Sequence, residues 1–118
     1  ADRKQPLDSV AEMCKCLVPH DQFTGNTTIG AVFTNAAFSK AELNKIASMT
    51  RNAYARSISP VGTMADGDSI YAVSIGSEKV DINVAGTLAA SVMQEAIRKA
   101  VESARIPEEE FVAAVQNL

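Results

Sequence analysis

Residues 27–34 of the chain, Thr-Thr-Ile-Gly-Ala-Val-Phe-Thr, carry the clearest indication of fold class in the sequence. The β-branched residues of this stretch predict a strand. Apolar residues lie on both sides of this strand, which favours burial of both faces. Gly30 in the middle of this strand indicates close approach by another backbone. The turn-forming residues at 20–26 that precede it predict a loop.

The segments that follow alternate between helical and strand patterns. Ser39-Lys-Ala-Glu42 is a capping box that opens a helix to about Ser57. A second strand is expected at residues 69–75, a surface loop at 76–81 and an amphipathic helix at 87–104. Short helices are expected from Asp8 or Ser9 to about Leu17, and from Pro107 to near Leu118. The apolar faces expected to be buried are Leu43, Ile46, Ala47, Thr50, Ala53 and Tyr54 in the first long helix, and Leu88, Val92, Met93, Ala96, Ile97, Ala100 and Val101 in the second.

This order of elements predicts an α/β (α+β) protein with helices layered on a sheet. The 118 residues amount to one domain or part of one. Two strands make a marginal sheet, because an independently stable sheet usually needs three or more. The chain is therefore expected to pair with another segment of a longer parent or with another copy of itself.

Composition excludes several classes of function. The net charge is −3, and no cluster of Lys and Arg interleaved with aromatic residues suits a phosphate backbone, so no nucleic-acid partner is expected. No apolar run is long enough to span a bilayer, so no membrane partner is expected and the cytoplasm is the expected compartment. Cys14, Cys16 and His20 lack the spacing of a zinc site, so the sequence predicts neither a metal nor a cofactor.

The bond between Asn26 and Thr27 is one candidate site of chemistry. A threonine hydroxyl in a tight turn can attack the preceding carbonyl in an N-to-O acyl shift. After cleavage the new α-amine lies beside the same hydroxyl and can act as its base, so no histidine is required. On spacing alone, Asn26-Thr-Thr28 is equally a plain turn that enters a strand.

Asp66-Gly-Asp68 is the second candidate. Two carboxylates two residues apart in an extended turn can face one cleft, where they can perturb each other's pKa and orient an amine or a hydroxyl. The alternative is a solvated turn, since Asp and Gly are common turn residues.

Several motifs in order resemble the C-terminal part of the DmpA-type aminopeptidase family. That family includes the nylon-oligomer hydrolases and shares its self-cleaving fold with the ornithine acetyltransferases. The resemblance runs from about Gly25 to Ala104. It is carried by Asn26-Thr-Thr-Ile-Gly-Ala-Val-Phe-Thr-Asn-Ala36, Ser39-Lys-Ala-Glu42, Ala55-Arg-Ser-Ile58, Pro60-Val61, Thr63-Met64 and Asp66-Gly-Asp-Ser-Ile-Tyr-Ala-Val73.

The resemblance implies a self-processing N-terminal-nucleophile amidohydrolase or aminopeptidase with an αββα layered sandwich. Residues 1–26 would be the tail of an α region, and residues 27–118 would be a β-subunit-like segment. Thr27 would be the nucleophile, with cleavage between Asn26 and Thr27, and Asp66 and Asp68 would position Thr27 and its amine. The substrate would be a peptide or a small amide. The family's oxyanion-stabilising lysine and asparagine belong to the long α region, which this chain lacks, so the isolated chain is expected to be weakly active or inactive.

Two other functions remain open at this point. The chain could be a non-catalytic fragment or assembly module that oligomerises through its sheet edges. It could also transfer acetyl groups between amino acids, as the ornithine acetyltransferases do with the same kind of nucleophile.

Overall fold

A computed structural model describes residues 8–15 and 27–116 of the chain. The elements in order are α1 (Ser9–Lys15), β1 (Ile29–Ala36), α2 (Lys40–Ser57), β2 (Ser69–Glu78), α3 (Ile82–Ser103) and α4 (Glu108–Gln116). The fold is mixed α/β, as the sequence predicts.

The two strands run parallel and are joined through α2. Ile29 lies opposite Ser69, and the register continues to Thr34 opposite Ser74 before it shifts, so that Ala36 lies opposite Glu78. Both strands therefore begin at the same edge of the sheet, which brings residues 27–28 next to residues 66–68.

Helices α2 and α3 cover one face of this sheet. The centre of the core is Ala53 and Tyr54 of α2 with Met93 of α3, and the partly buried residues packed around it are Val32, Ile58, Val61, Ile70 and Ile97. The capping box at Ser39 and Glu42 is present, so α2 begins where the sequence predicts. The predicted stripe of α2 is confirmed at Ile46, Thr50, Ala53 and Tyr54, which are buried.

The boundaries of both strands differ from the prediction. β1 covers 29–36 instead of 27–34, and β2 continues to Glu78, where a surface loop is predicted. The continuation has a physical cause: the Ala37 amide donates to the Glu78 carbonyl at 2.8 Å, and the Ser74 hydroxyl donates to the Ala36 carbonyl. Gly76 lies against the backbone of Asn35 at the register shift, with no room for a Cβ.

The longest helix begins earlier than the predicted residue 87. Asp81 caps it, since its carboxylate accepts from the amides of Asn83 and Val84. Its buried residues are Gly86, Ala89, Ala90 and Met93. Met93 of the predicted apolar face is buried. Leu88, Val92 and Val101 of the same face are exposed, because α2 packs against the small residues of α3.

The prediction that β1 is buried on both faces is wrong for the described residues. Gly30 and Ala36 are buried under the helices, whereas Ile29 is 71% and Phe33 67% exposed on the opposite face. Alternate side chains of a strand point to opposite faces, and the described elements cover one of them.

The short terminal helices lie near their predicted positions. α1 ends at Lys15, and the predicted end at Leu17 lies outside the described residues, as does Leu118 after α4. Neither α1 nor α4 buries a residue.

Candidate active site at the start of the strands

The candidate site lies at the edge of the sheet where both strands begin. The Ser69 amide donates to the Thr28 carbonyl at 3.0 Å, which aligns the residues that precede β1 with those that precede β2. Parallel pairing thus places Thr27 beside the Asp66-Gly-Asp68 turn, although about 40 residues separate them in the chain.

Asp68 joins the two segments. Its Oδ1 accepts a hydrogen bond from the Thr28 amide at 2.9 Å. Its Oδ2 is buried and has no hydrogen-bond partner among the described residues. An unpaired buried carboxylate oxygen is costly, so this atom marks a place where a further donor would be stabilised.

Thr27 is exposed and its hydroxyl faces the turn. A Cβ added to Gly67 would lie 2.9 Å from Thr27 Oγ1, so any larger residue at this position would crowd the hydroxyl. The absence of a side chain at Gly67 therefore leaves room for the Thr27 hydroxyl beside the turn.

Asp66 has different partners from Asp68. Its Oδ2 accepts from the Thr63 amide at 2.6 Å, and its own amide donates to the Thr63 carbonyl at 3.2 Å. Hydrogen bonds from the Thr63 side chain and backbone hold the pKa of the Asp66 carboxyl below its usual value. The structure therefore joins Asp68 to Thr28, the residue after Thr27, whereas Asp66 is bound within its own turn before β2.

Tyr54 is the residue of this site that sequence reasoning missed. The sequence predicts it as part of the buried stripe of α2, and that stripe carries no signal of a polar role. Its hydroxyl lies within hydrogen-bond distance of the Thr28 carbonyl at 3.4 Å and of the Ser69 carbonyl at 3.3 Å. Burial, and then the nearby Asp68 carboxylate, raise the pKa of the Tyr54 phenol.

A shallow cleft between α2 and β2 reaches the site. Asp68 and Tyr54 line it together with the exposed Arg51, and its remaining walls are Ala47, Ser48, Ser69 and Ile70.

Most of the other side chains considered in the sequence lie outside the described residues. Asn26, Cys16 and His20 are not among the described residues, and Cys14 is an exposed free thiol. Within residues 8–15 and 27–116, His, Cys, Asp and Glu form no cluster of three that could hold a metal ion. None of the helices in the same ranges is long and apolar enough to cross a membrane.

The fold and the site define a mixed α/β protein with a threonine and a buried carboxylate at the start of two parallel strands. The chain belongs to peptidase family S58, whose model matches residues 3–111. This finding confirms the resemblance to the DmpA-type and nylon-oligomer hydrolases.

Similar proteins are named as hydrolases or peptidases. The 6-aminohexanoate-oligomer endohydrolase of Paenarthrobacter ureafaciens is 32% identical, over 83% of this chain and 31% of that protein. The enzyme of the same name from a Kocuria strain is 31% identical, over 85% of this chain and 32% of its own length. An uncharacterized aminopeptidase of Mycobacterium tuberculosis is 34% identical, over 66% of this chain and 23% of its own length.

The chain spans about a third of the length of the endohydrolases it matches. No solved structure gives a significant match.

Proposed function

We propose that this chain is the nucleophile-bearing part of a self-processing amidohydrolase that is cut between Asn26 and Thr27. The observation that carries the proposal is the pair of oxygens of Asp68: one accepts from the Thr28 amide, and the other is buried without a hydrogen-bond partner among residues 8–15 and 27–116. Membership of peptidase family S58 supports the hydrolase class.

The first reaction is the cleavage of the chain itself. Thr27 Oγ1 attacks the Asn26 carbonyl carbon and its hydroxyl proton leaves. The C–N bond then breaks, and the nitrogen of Thr27 takes up a proton. Water hydrolyses the resulting ester, which frees the Thr27 hydroxyl and leaves Thr27 as a new N-terminus with a free α-amine.

The second reaction is hydrolysis of a substrate amide. The α-amine of Thr27 accepts the proton of Oγ1 as the oxygen attacks the substrate carbonyl. The protonated α-amine then gives this proton to the substrate nitrogen as the C–N bond breaks, and the amine product leaves. Water then hydrolyses the acyl-threonine. Asp68 Oδ2 is the acceptor we assign to the protonated amine, because a charge-assisted hydrogen bond there would satisfy the buried oxygen.

Asp66 acts one step further away in this proposal. Its hydrogen bonds with Thr63 hold the turn that places Gly67 against the Thr27 hydroxyl. Asp66 therefore positions the nucleophile through the turn.

The proposed substrate is a peptide or a short amide oligomer. The endohydrolases that resemble the chain are named for oligomers of 6-aminohexanoate, and the mycobacterial relatives are named as aminopeptidases. Turnover requires donors for the oxyanion, and the loss of each one lowers the rate by roughly 10²–10³. Full activity is accordingly expected when the remaining family domain is supplied.

Intact-mass spectrometry of the full chain, alone and with the rest of the family domain supplied on a second chain, tests this function. The wild type should give a species that starts at Thr27, and Thr27→Ala should abolish it. Thr87→Ala, the same change on the exposed surface of α3, is the control and should be cut normally. If the chain stays uncut even with the remaining domain supplied, the proposal is wrong.

A second candidate function, assembly without catalysis, is favoured by one observation. The sheet face opposite the helices is apolar and exposed at Ile29, Phe33, Tyr71, Val73 and Ile75. An apolar face of this kind marks an interaction surface. The occupant we propose is the remaining α region of the family domain, since the relatives are about three times longer than this chain. A second copy of the chain is the alternative occupant.

Light scattering of the chain, alone and mixed with the remaining α region, shows which of the two occupants binds this face, and intact-mass measurement of the same samples separates assembly from catalysis. A self-assembling module gives a defined oligomer and no species that starts at Thr27. A well-folded monomer would exclude self-assembly.

A further inference from the structure

The side chain of Tyr54 extends from α2 and places its hydroxyl at the edge of the sheet where both strands begin. The side chain is 2% exposed, in the centre of the core between α2 and the strands. Its oxygen lies 3.4 Å from the Thr28 carbonyl and 3.3 Å from the Ser69 carbonyl. One phenol thus reaches the backbone of both strands at the point where they begin.

Gly30 makes this reach possible. A Cβ at position 30 would lie 2.7 Å from the Tyr54 hydroxyl oxygen and 2.8 Å from Met93 Cε. Since only a residue without a Cβ leaves this space, the glycine of β1 and the tyrosine of α2 fit each other.

The hydroxyl completes a set of contacts that hold Thr28 on both sides. The Thr28 amide donates to Asp68 Oδ1. The Thr28 carbonyl accepts from the Ser69 amide and lies within hydrogen-bond distance of the Tyr54 hydroxyl. The Thr28 amide belongs to the peptide bond that follows Thr27. These contacts hold that peptide bond in place and therefore set the orientation of Thr27 relative to β1.

We propose that Tyr54 is a positioning residue for the reaction of Thr27, acting through Thr28. This inference rests on the proposed function, in which Thr27 is the nucleophile. Tyr54 itself contacts no reacting atom, so it sets the orientation of Thr27 and leaves substrate binding unchanged.

The test compares Tyr54→Phe with Thr50→Val in the full chain. Tyr54→Phe keeps the ring in the core and removes only the hydroxyl. Thr50→Val is the matched control: it removes another buried hydroxyl of α2, one turn away, whose hydrogen bond runs within the helix to the Ile46 carbonyl at 2.8 Å. Both variants are expected to stay folded.

We expect the cleavage rate at Asn26–Thr27 to fall about tenfold in Tyr54→Phe, the change that one hydrogen bond of about 1.4 kcal/mol produces. In Thr50→Val it should stay within about twofold of the wild type. With the remaining family domain supplied, kcat for an amide substrate should fall by the same factor in Tyr54→Phe at unchanged KM. Wild-type cleavage in a folded Tyr54→Phe chain would overturn the inference, and so would equal slowing in both variants.

Hydrogen exchange of the Thr28 amide separates this inference from the proposed function. Exchange should be about tenfold faster in Tyr54→Phe than in the wild type, and unchanged in Thr50→Val. If the wild type is never cut but Thr28 shows this difference, the proposed function fails and the positioning of Thr28 by Tyr54 stands. If Thr28 exchanges equally in all three proteins, the inference fails whether or not the chain is cut.

Discussion

The two aspartates at 66 and 68 differ in what they hold. Asp68 accepts from the Thr28 amide across the sheet edge, and Asp66 accepts from the Thr63 amide within its own turn. The chain turns between Thr63 and Asp66. The two aspartates therefore do not follow the geometry of an extended segment, in which side chains two residues apart lie on the same face. This division underlies the separate roles that we propose, a direct contact for Asp68 and support of the turn for Asp66.

The ionisation of Tyr54 gives a prediction at the residue scale. Burial, followed by the charge of Asp68, raises the pKa of Tyr54 above its ordinary value of 10.0. Because the folded-state pKa is the higher one, the stabilisation by the neutral phenol is fully present below pH 10.0 and is lost as the pH rises through the folded-state pKa.

Ultraviolet titration checks this prediction, since Tyr54 and Tyr71 are the two tyrosines of the chain. The absorbance difference between the wild type and Tyr54→Phe should develop above pH 10.0. The wild type should also lose more stability than Tyr54→Phe as the pH rises past that value. A difference that develops at or below pH 10.0 would contradict the prediction.

The helices owe their starting points to single side chains. Ser39 and Glu42 form the capping box of α2, which the sequence reveals because the motif is local. Asp81 caps α3 through the amides of Asn83 and Val84, six residues before the expected start of that helix. The apolar periodicity that predicts this helix begins only at residue 87, so it gives no sign of the cap.

Removal of the Asp81 cap gives a prediction at the scale of the element. Asp81→Ala should lower the free energy of unfolding by about 1 kcal/mol, because two amides of the first turn lose their acceptor. Asp81→Asn, which retains a capping oxygen, should lose much less. Chemical denaturation of the three proteins measures the difference, and equal stability of the alanine and asparagine variants would exclude the cap as the cause.

At the scale of the whole molecule, the sheet has one covered face and one open face. α2 and α3 cover the even-numbered positions of β1, and the apolar residues at the odd-numbered positions are exposed. A second apolar surface lies beside β1, where Val84, Leu88 and Val92 of α3 extend past the strand. Both surfaces are available to the remaining α region that we propose as their occupant. The chain spans about a third of the length of the relatives it matches.

Charge on the open face should prevent this association. Phe33 is 67% exposed and lies opposite Val73, so Phe33→Asp should leave the core intact and weaken binding of the remaining domain or of a second copy. Burying a phenylalanine contributes about 1.5–3 kcal/mol, so a loss of at least about tenfold in affinity is expected. Val101→Asp, at an exposed apolar position near the end of α3, is the control. Sedimentation of both variants checks the prediction, and unchanged association of Phe33→Asp would contradict it.

Elements whose signals are local could be predicted from the sequence. The capping box at Ser39, the stripe of α2 and the β-branched run before residue 34 predicted the α/β class, and the ordered motifs from Gly25 onward identified the family. The neighbours of Thr28 depended on the tertiary structure, because Asp68 and Tyr54 reach it only through the parallel pairing of β1 with β2 and the crossover of α2. Only the tertiary structure shows that one face of the sheet is exposed. An apolar side chain in the sequence does not indicate which other part of the protein covers it.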